Sequence, residues 1–245
     1  MNLDLSAGQD WKPMRTYGQY CPIARGSEVL AERWTPVILR NILLGCRTFN
    51  EISAGAPGLS RALLSKRLRE LERAQLLTIV PKGSGRGSFY EPTESGPDAW
   101  NVLVALGEWG DRWTDVLPEH ADPNAVLWSW CQSYQRHDVL PAGRVVVRFE
   151  FRDARQRLVR EWFHIENRSI ELCRFDPGFG DDVIVCIHDP VPFAQWHIGL
   201  VSWNDILGSA VTVDGPAALK RSLPTWNACP DAHRERRARS AVGGR

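Results

Sequence analysis

Pro57-Gly58-Leu59-Ser60-Arg61-Ala62-Leu63-Leu64-Ser65-Lys66-Arg67-Leu68-Arg69-Glu70-Leu71-Glu72-Arg73 is the stretch whose reading decides the fold. Pro57-Gly58 interrupts whatever precedes it, and the Ser60 side chain can accept a hydrogen bond from the free amides of a first helical turn. Leu64, Leu68 and Leu71 then recur at the spacing of one buried helix face. Arg61, Ser65, Lys66, Arg69 and Arg73 fall outside that face, so donors and positive charge form a second stripe that points outward. A basic stripe is also what an ordinary solvated helix carries. Its neighbours in the chain decide between the two readings.

Upstream, Pro22 opens a short helix carrying Ile23, Ala24, Val29 and Leu30 and ending near Trp34. Thr35 is expected to cap a second helix with Pro36 at its first position, stopping at Gly45. A third runs from Phe49 to Gly55. Downstream, Leu76 to Val80 is β-rich, Pro81 to Gly87 is a turn and Ser88 to Pro92 returns, which predicts a hairpin. Short helix, turn, basic helix and basic hairpin in this order make a winged helix-turn-helix, with the second helix in the major groove and the wing on flanking backbone. The expected DNA contacts are Ser60, Arg61, Ser65, Lys66 and Arg69 on the helix and Lys82 and Arg86 on the wing. Between Arg61 and Arg86 seven basic residues stand against two acidic ones, although the whole chain has a formal net charge of only +1. Gly83-x-Gly85 connects strand to strand, whereas a nucleotide-binding glycine loop joins a strand to a helix, so the pattern argues against that reading.

Thr93 is expected to cap a long helix with Trp100, Leu103, Val104, Leu106, Trp109, Trp113 and Leu117 on a wide apolar face. That face exceeds what a small domain needs and predicts a homodimer interface.

Tyr20-Cys21-Pro22-Ile23, Glu32 to Arg40, Leu44 to Ile52 and Leu63 to Leu71 resemble the signature blocks of the HxlR family of bacterial transcriptional regulators. Phe89-Tyr90-Glu91-Pro92-Thr93-Glu94-Ser95-Gly96 is similar to that family's second wing strand and last helix start. Ala31-Glu32 replaces a more usual Gly-Gly or Gly-Lys pair, a departure that touches helix packing rather than the DNA face. The resemblance implies a dimeric winged-helix DNA binder, not an enzyme, with double-stranded DNA as partner. Cys21 resembles a cysteine that some members use as an oxidation sensor, and it is the redox candidate; a merely buried thiol is the competing reading.

The rest reads as a second domain. Residues 1–18 are expected to be a flexible arm, 19–117 the winged helix-turn-helix and dimerisation domain, and 118–142 a connector with one helix. Residues 143–226 form an α+β domain, with strands at Arg144 to Phe151, Trp162 to Ile165, Ser169 to Cys173 and Val183 to Ile187. Helices follow at Pro192 to Ile198, Ser202 to Gly208 and Ala217 to Leu223, so helices cover a sheet. Residues 227–245 are expected to be a disordered Arg-rich tail. The element order and the run Glu171 to Phe179 resemble sterol carrier protein type 2-like domains. That resemblance implies an apolar tunnel and a small-molecule ligand, for which Phe151, Trp162, Phe175, Phe193, Trp196 and Trp203 are the candidates. The same aromatics would serve equally to fill a solid core.

The composition, 43% hydrophobic and 24% charged in 245 residues, suits a two-domain globular protein. The N-terminus lacks a signal-peptide pattern and no apolar run is long enough to span a bilayer, so the expected location is cytoplasmic, off the membrane. Six cysteines without C-x-x-C and six histidines without ligand spacing predict neither metal nor cofactor. H-E-x-x-H, G-x-S-x-G and the P-loop pattern are absent. His188 and His197 are expected to be ordinary surface or hydrogen-bonded histidines. The rival to a DNA-binding regulator is a lipid-binding or carrier protein whose winged helix only binds protein. Such a module has no need of the basic helix and wing. Operator sequence, effector and the sign of regulation are not encoded in any motif.

Overall fold

The computed structural model describes residues 16–83, 86–114, 117–153 and 155–242, with side chains described as far as residue 235. It forms two compact units, residues 1–107 and 108–245.

In the first unit α1 (Pro22–Leu30), α2 (Thr35–Leu43) and α3 (Phe49–Ala54) precede α4 (Arg61–Arg73) and an antiparallel hairpin, β1 (Leu77–Pro81) and β2 (Ser88–Pro92). Each boundary has a local cause. Thr48 and Glu51 close a reciprocal capping box on α3, and the Ser60 hydroxyl accepts from the Leu63 amide at the start of α4. Gly45 takes φ +98 just beyond α2, a conformation that an L side chain resists. The predicted cap of α2 is off by one residue: Thr35 is already helical, and Trp34 precedes it in a left-handed conformation. Thr93 likewise stands two residues before the helix, which begins at Ser95, and its hydroxyl donates to the Gln75 carbonyl.

Ile38, Leu39, Ile42, Ile52, Leu64, Leu68, Leu71 and Leu77 fill this unit's core. Asn41, buried among them, donates to the Ile52 carbonyl at 3.0 Å and accepts from Arg40, which reaches the Gly55 carbonyl at 2.8 Å. Those bonds lock α2 to α3. The Tyr90 amide donates to the Arg47 carbonyl at 2.8 Å, so the segment before α3 meets the wing through a single antiparallel bridge between Thr48 and Phe89.

α5 (Ser95–Trp113) follows. Gly96 is needed at its start, since a Cβ there would lie 2.9 Å from Pro92 Cβ and 3.2 Å from the Leu76 carbonyl. A 3-10 turn (Pro118–His120) and α6 (Pro123–Ser133) come next, then β3 (Val145–Arg152), β4 (Leu158–Glu166), β5 (Ser169–Cys173) and β6 (Val183–Ile187). α7 (Pro190–His197), α8 (Trp203–Ile206), β7 (Val211–Asp214), α9 (Ala217–Ser222), a 3-10 turn (Leu223–Trp226) and α10 (Cys229–Val242) complete the chain. The second sheet has the order β5-β4-β3-β6-β7, antiparallel throughout except for β3 beside β6.

Period-two alternation turns Val145, Val147, Phe149 and Phe151 to one face of this sheet, where α6 and α7 cover them. Trp130 of α6 sits at the centre, edge-on to Phe163 at 5.2 Å and Trp196 at 5.4 Å. The predicted connector is therefore corrected. Its helix is a wall of the second core, supplying Val126, Leu127, Trp130 and Cys131. The tail expected to be disordered is also structured as far as Val242: Cys229 is buried, Asp231 pairs with Arg136 at 3.0 Å, and His233 meets Asp111 at 2.9 Å. Partners distant in sequence hold it, and these composition could not reveal. Of the predicted N-terminal arm, residues 1–15 lie outside the described residues, and the Tyr17 amide donates to Glu28 at 2.7 Å.

One charge breaks the apolar layer. Glu161, opposite Phe149 in the β3–β4 register, is 4% exposed, and its Oε2 has no hydrogen-bond partner among the described residues. Burial pushes its carboxyl up from 4.5 to about 7, against the opposing pull of Arg174, whose Nε lies 4.0 Å from Oε1; Asp122 adds to the rise. Between pH 4.5 and 7 the folded protein keeps a proton that the unfolded chain has lost, so stability falls as pH rises through that window, by about 3 kcal/mol. Glu161→Gln should flatten this fall. Urea denaturation at pH 5 and pH 8 is the check, with the variant's advantage larger at pH 8.

Candidate nucleic-acid interface

α4 is two-sided, and its inward face holds more than leucine. Arg67 is 7% exposed, with Nη2 2.7 Å from Glu32 Oε2 and Nη1 2.6 Å from Glu70 Oε2. Glu32 lies between α1 and α2, so this guanidinium ties α4 to the α1–α2 junction. It belongs to the anchoring of the helix and not to its outward charge. The sequence signal was present in the unusual Ala31-Glu32 pair, but only the fold brings Glu32 to Arg67.

The outward side presents the predicted contacts. Arg61 and Lys66 are exposed, Ser65 is half-buried, and Ser60 is occupied in capping. Arg61 lies over the Phe49 ring at 4.6 Å, with Nη1 3.4 Å from Asn50 Oδ1, so the start of α3 holds its guanidinium at the start of α4. Lys66 reaches Glu70 at 3.9 Å. Arg69 makes no hydrogen bond or ion pair among the described residues. It faces the wing, where Tyr90 feels its charge; burial and Glu72 together outweigh Arg69 and hold the phenol above its usual value. On the wing Lys82 Nζ lies 4.9 Å from the centre of the Phe89 ring, and Arg86 is exposed at the tip, beside Ser84 and Gly85, which lie outside the described residues. A helix of groove-reading dimensions and a cationic hairpin thus stand side by side. Sequence reasoning missed Phe49 and Asn50 as supports of Arg61.

Elsewhere the candidates separate. Cys21 is exposed at the N-cap of α1, whereas burial pushes the Cys46 thiol up to about 11. Phe193 and Trp196 are core residues, Trp203 stacks edge-on to Trp196 at 4.7 Å, and Phe151 closes the core at one end of the sheet. Trp162 points to the opposite face, its indole donating to Asp181 at 3.0 Å, and Phe175 is 85% exposed. These six aromatics do not line one cavity. His197 is buried between Asn227 Nδ2 at 2.8 Å and Ser129 Oγ at 3.1 Å; burial depresses its pKa to about 3, with His233 adding to the effect, so the ring is neutral. Among the described residues no group of three His, Cys, Asp or Glu could hold a metal ion, and no helix is long and apolar enough to cross a membrane.

A winged helix-turn-helix with a cationic outward face defines the class of protein. The sequence pattern of the HxlR-like helix-turn-helix family matches residues 29–117. An HTH-type transcriptional regulator of Mycobacterium tuberculosis, Rv3095, is 31% identical over 132 residues, covering 49% of this chain and 83% of its own. The HTH-type transcriptional regulator YvaP of Bacillus subtilis is 31% identical over 100 residues, covering 40% of this chain and 92% of its own. The structure of the reduced form of the transcriptional regulator YodB from B. subtilis aligns at 25% identity with a TM-score of 0.35, over 40% of this chain and 97% of that one. The chain belongs to the HxlR-like helix-turn-helix family of transcriptional regulators.

Arg67 and Arg69, two residues apart, should fail in different ways. Arg67→Ala should destabilise the protein by about 2 kcal/mol, because two carboxylates lose their common partner. Arg69→Ala should leave melting unchanged and lower affinity for a selected DNA site by about 1–3 kcal/mol. Calorimetric melting together with fluorescence anisotropy on labelled DNA distinguishes the two.

Proposed function

We propose that the protein is a transcriptional regulator that binds operator DNA as a homodimer, with α4 in the major groove and the β1–β2 wing on the flanking backbone. The observation that carries this reading is the pairing of a firmly anchored α4 with outward Arg61, Lys66 and Arg69 and with Lys82 and Arg86 on the adjacent wing. Ser60 and Ser65 add hydroxyl donors at the same face. Binding selection on genomic fragments followed by footprinting tests it. Protection of two half-sites a helical turn apart is the expected pattern.

The dimer reading rests on α5. Val102, Leu106, Trp109 and Trp113, exposed by 52%, 50%, 56% and 67%, recur at steps of four, three and four residues and form one apolar stripe. Exposed Tyr20 and Ile23 beside α1 supply further apolar surface. A second copy laid antiparallel or crossed on this stripe buries it, as coiled-coil spacing favours.

The second unit is the effector-binding part in this reading, as the resemblance to sterol-carrier-like domains implies, and oxidation of exposed Cys21 is a separate route of control. Cys21→Ser that leaves peroxide-dependent changes in DNA binding intact removes that route.

Leu106→Glu with Trp109→Glu should convert a dimer into a species of the chain mass, 27.7 kDa, in light scattering. Operator affinity should fall at least about tenfold, because each half-site is then held alone. Lys82→Ala with Arg86→Ala should weaken operator and random DNA alike and flatten the salt dependence by about two phosphate contacts.

A further inference from the structure

Where the second unit's core layer ends, a cleft of about 800 Å³ opens, a size usual for small-molecule sites. Three segments form it: the β3–β4 hairpin, the stretch from Pro118 through the first turn of α6, and the passage from β6 into α7. Its floor is apolar because Phe151 and Ile187 are the last core-facing residues of their strands, and half-exposed Leu158 stands at the rim. Pro118, Pro123 and Pro190 add flat apolar faces to the walls.

The charges around this floor are unevenly satisfied. Asp153 is engaged by Arg157 at 2.6 and 2.8 Å and by the amides of Arg155 and Arg157, and Glu150 by Arg160 at 2.7 Å. Asp122 caps α6 through the Asn124 amide at 3.0 Å. His188 is bonded to Thr212 at 2.9 Å. In contrast, Arg152 donates only to the Gln156 carbonyl, at 2.7 Å, and the Arg155 guanidinium has no hydrogen bond or ion pair among the described residues. Of the lining carboxylates, Glu119 makes no hydrogen bond or ion pair among the described residues, and Arg152 and Arg155 stand largely open beside the apolar floor.

We propose that this cleft binds an aromatic monocarboxylate. A carboxylate matches the planar guanidinium fork, and an aromatic body stacks on guanidinium planes and on proline faces. A neutral lipid leaves the two arginines without a partner. A bare phosphate makes no use of Phe151, Ile187 and Leu158. The wall from Pro118 to Asn124 is the part of the chain that follows α5, so a ligand held between it and the hairpin acts on the segment leading away from the DNA-binding unit. This identifies the ligand class for the effector-binding part proposed above and rests on that reading only for its consequence at DNA.

The test is isothermal titration of the full chain with naphthylacetate, with naphthylethanol as the uncharged counterpart. The expected result is saturable binding of one naphthylacetate per chain, with the alcohol at least about tenfold weaker. Arg152→Ala with Arg155→Ala, and separately Leu158→Asp, should each weaken the acid about tenfold while melting and DNA binding without ligand stay unchanged. Absence of saturable binding at millimolar acid, equal binding of acid and alcohol, or unchanged binding in the arginine variant would overturn the proposal. Binding as expected that leaves operator affinity unaltered supports the cleft and removes the effector role, so the two readings fail separately.

Discussion

The ion triad of Glu32, Arg67 and Glu70 is the constraint on which the DNA-binding unit depends. Leu64, Leu68 and Leu71 suffice to bury one face of α4, but leucines alone permit rotation and sliding, because apolar contact is not directional. The Arg67 guanidinium, oriented by Glu70 of its own helix at 2.6 Å and bound to Glu32 outside it at 2.7 Å, opposes both. With the inward side of the helix set in rotation, Arg61 and Arg69 are set outward. The bonds from Arg40 and Asn41 to the backbone around α3 do the same for the neighbouring helix, and Phe49 and Asn50 at its start then brace Arg61. The orientation of the outward basic face is thus inherited from polar contacts behind it.

The second unit is organised by a different constraint, the size of Trp130. Its indole occupies the space between sheet and helices and takes edge-on contacts from Phe149, Phe163 and Trp196. Rings fill the space around Trp130, and a cleft opens at the end of the layer beside the β3–β4 hairpin. Glu161 is an inward carboxyl on the same layer. Its cost rises with pH, and Arg174, partly in solvent, offsets only some of it.

Much of the first unit was legible because its signals are local. Pro22, Ser60 and Gly45 mark helix ends by hydrogen bonds or dihedral angles within a few residues, and the Thr48–Glu51 capping box, which the sequence reading did not name, does the same for α3. The hairpin follows from β-branched residues around a glycine-rich turn. Leu106, Trp109 and Trp113 of the apolar face were readable as a periodic pattern, whereas Val102, exposed on the same stripe, was not among the residues the pattern named. The misreadings have a common origin. Asn124 to Gln135 was recognised as a helix but not as a core wall, since amphipathicity names a buried face without naming what buries it. Residues after Trp226 have the composition of a solvated tail, and their helix is held by Arg136 and Asp111, far away in sequence.

The sequence by itself determined the winged helix-turn-helix, the outward basic stripe, the cationic wing and the family, because each depends on spacing along the chain or on neighbours in it. Only the tertiary structure decided that Arg67 pairs with Glu32 behind the helix, that Phe49 braces Arg61, that Phe193 and Trp196 lie inside the second core while Phe175 is exposed, and that Arg152 and Arg155 stand open beside an apolar cleft. The physical reason is the same in each case. Burial, pairing and desolvation are properties of places, and residues distant in sequence make the place.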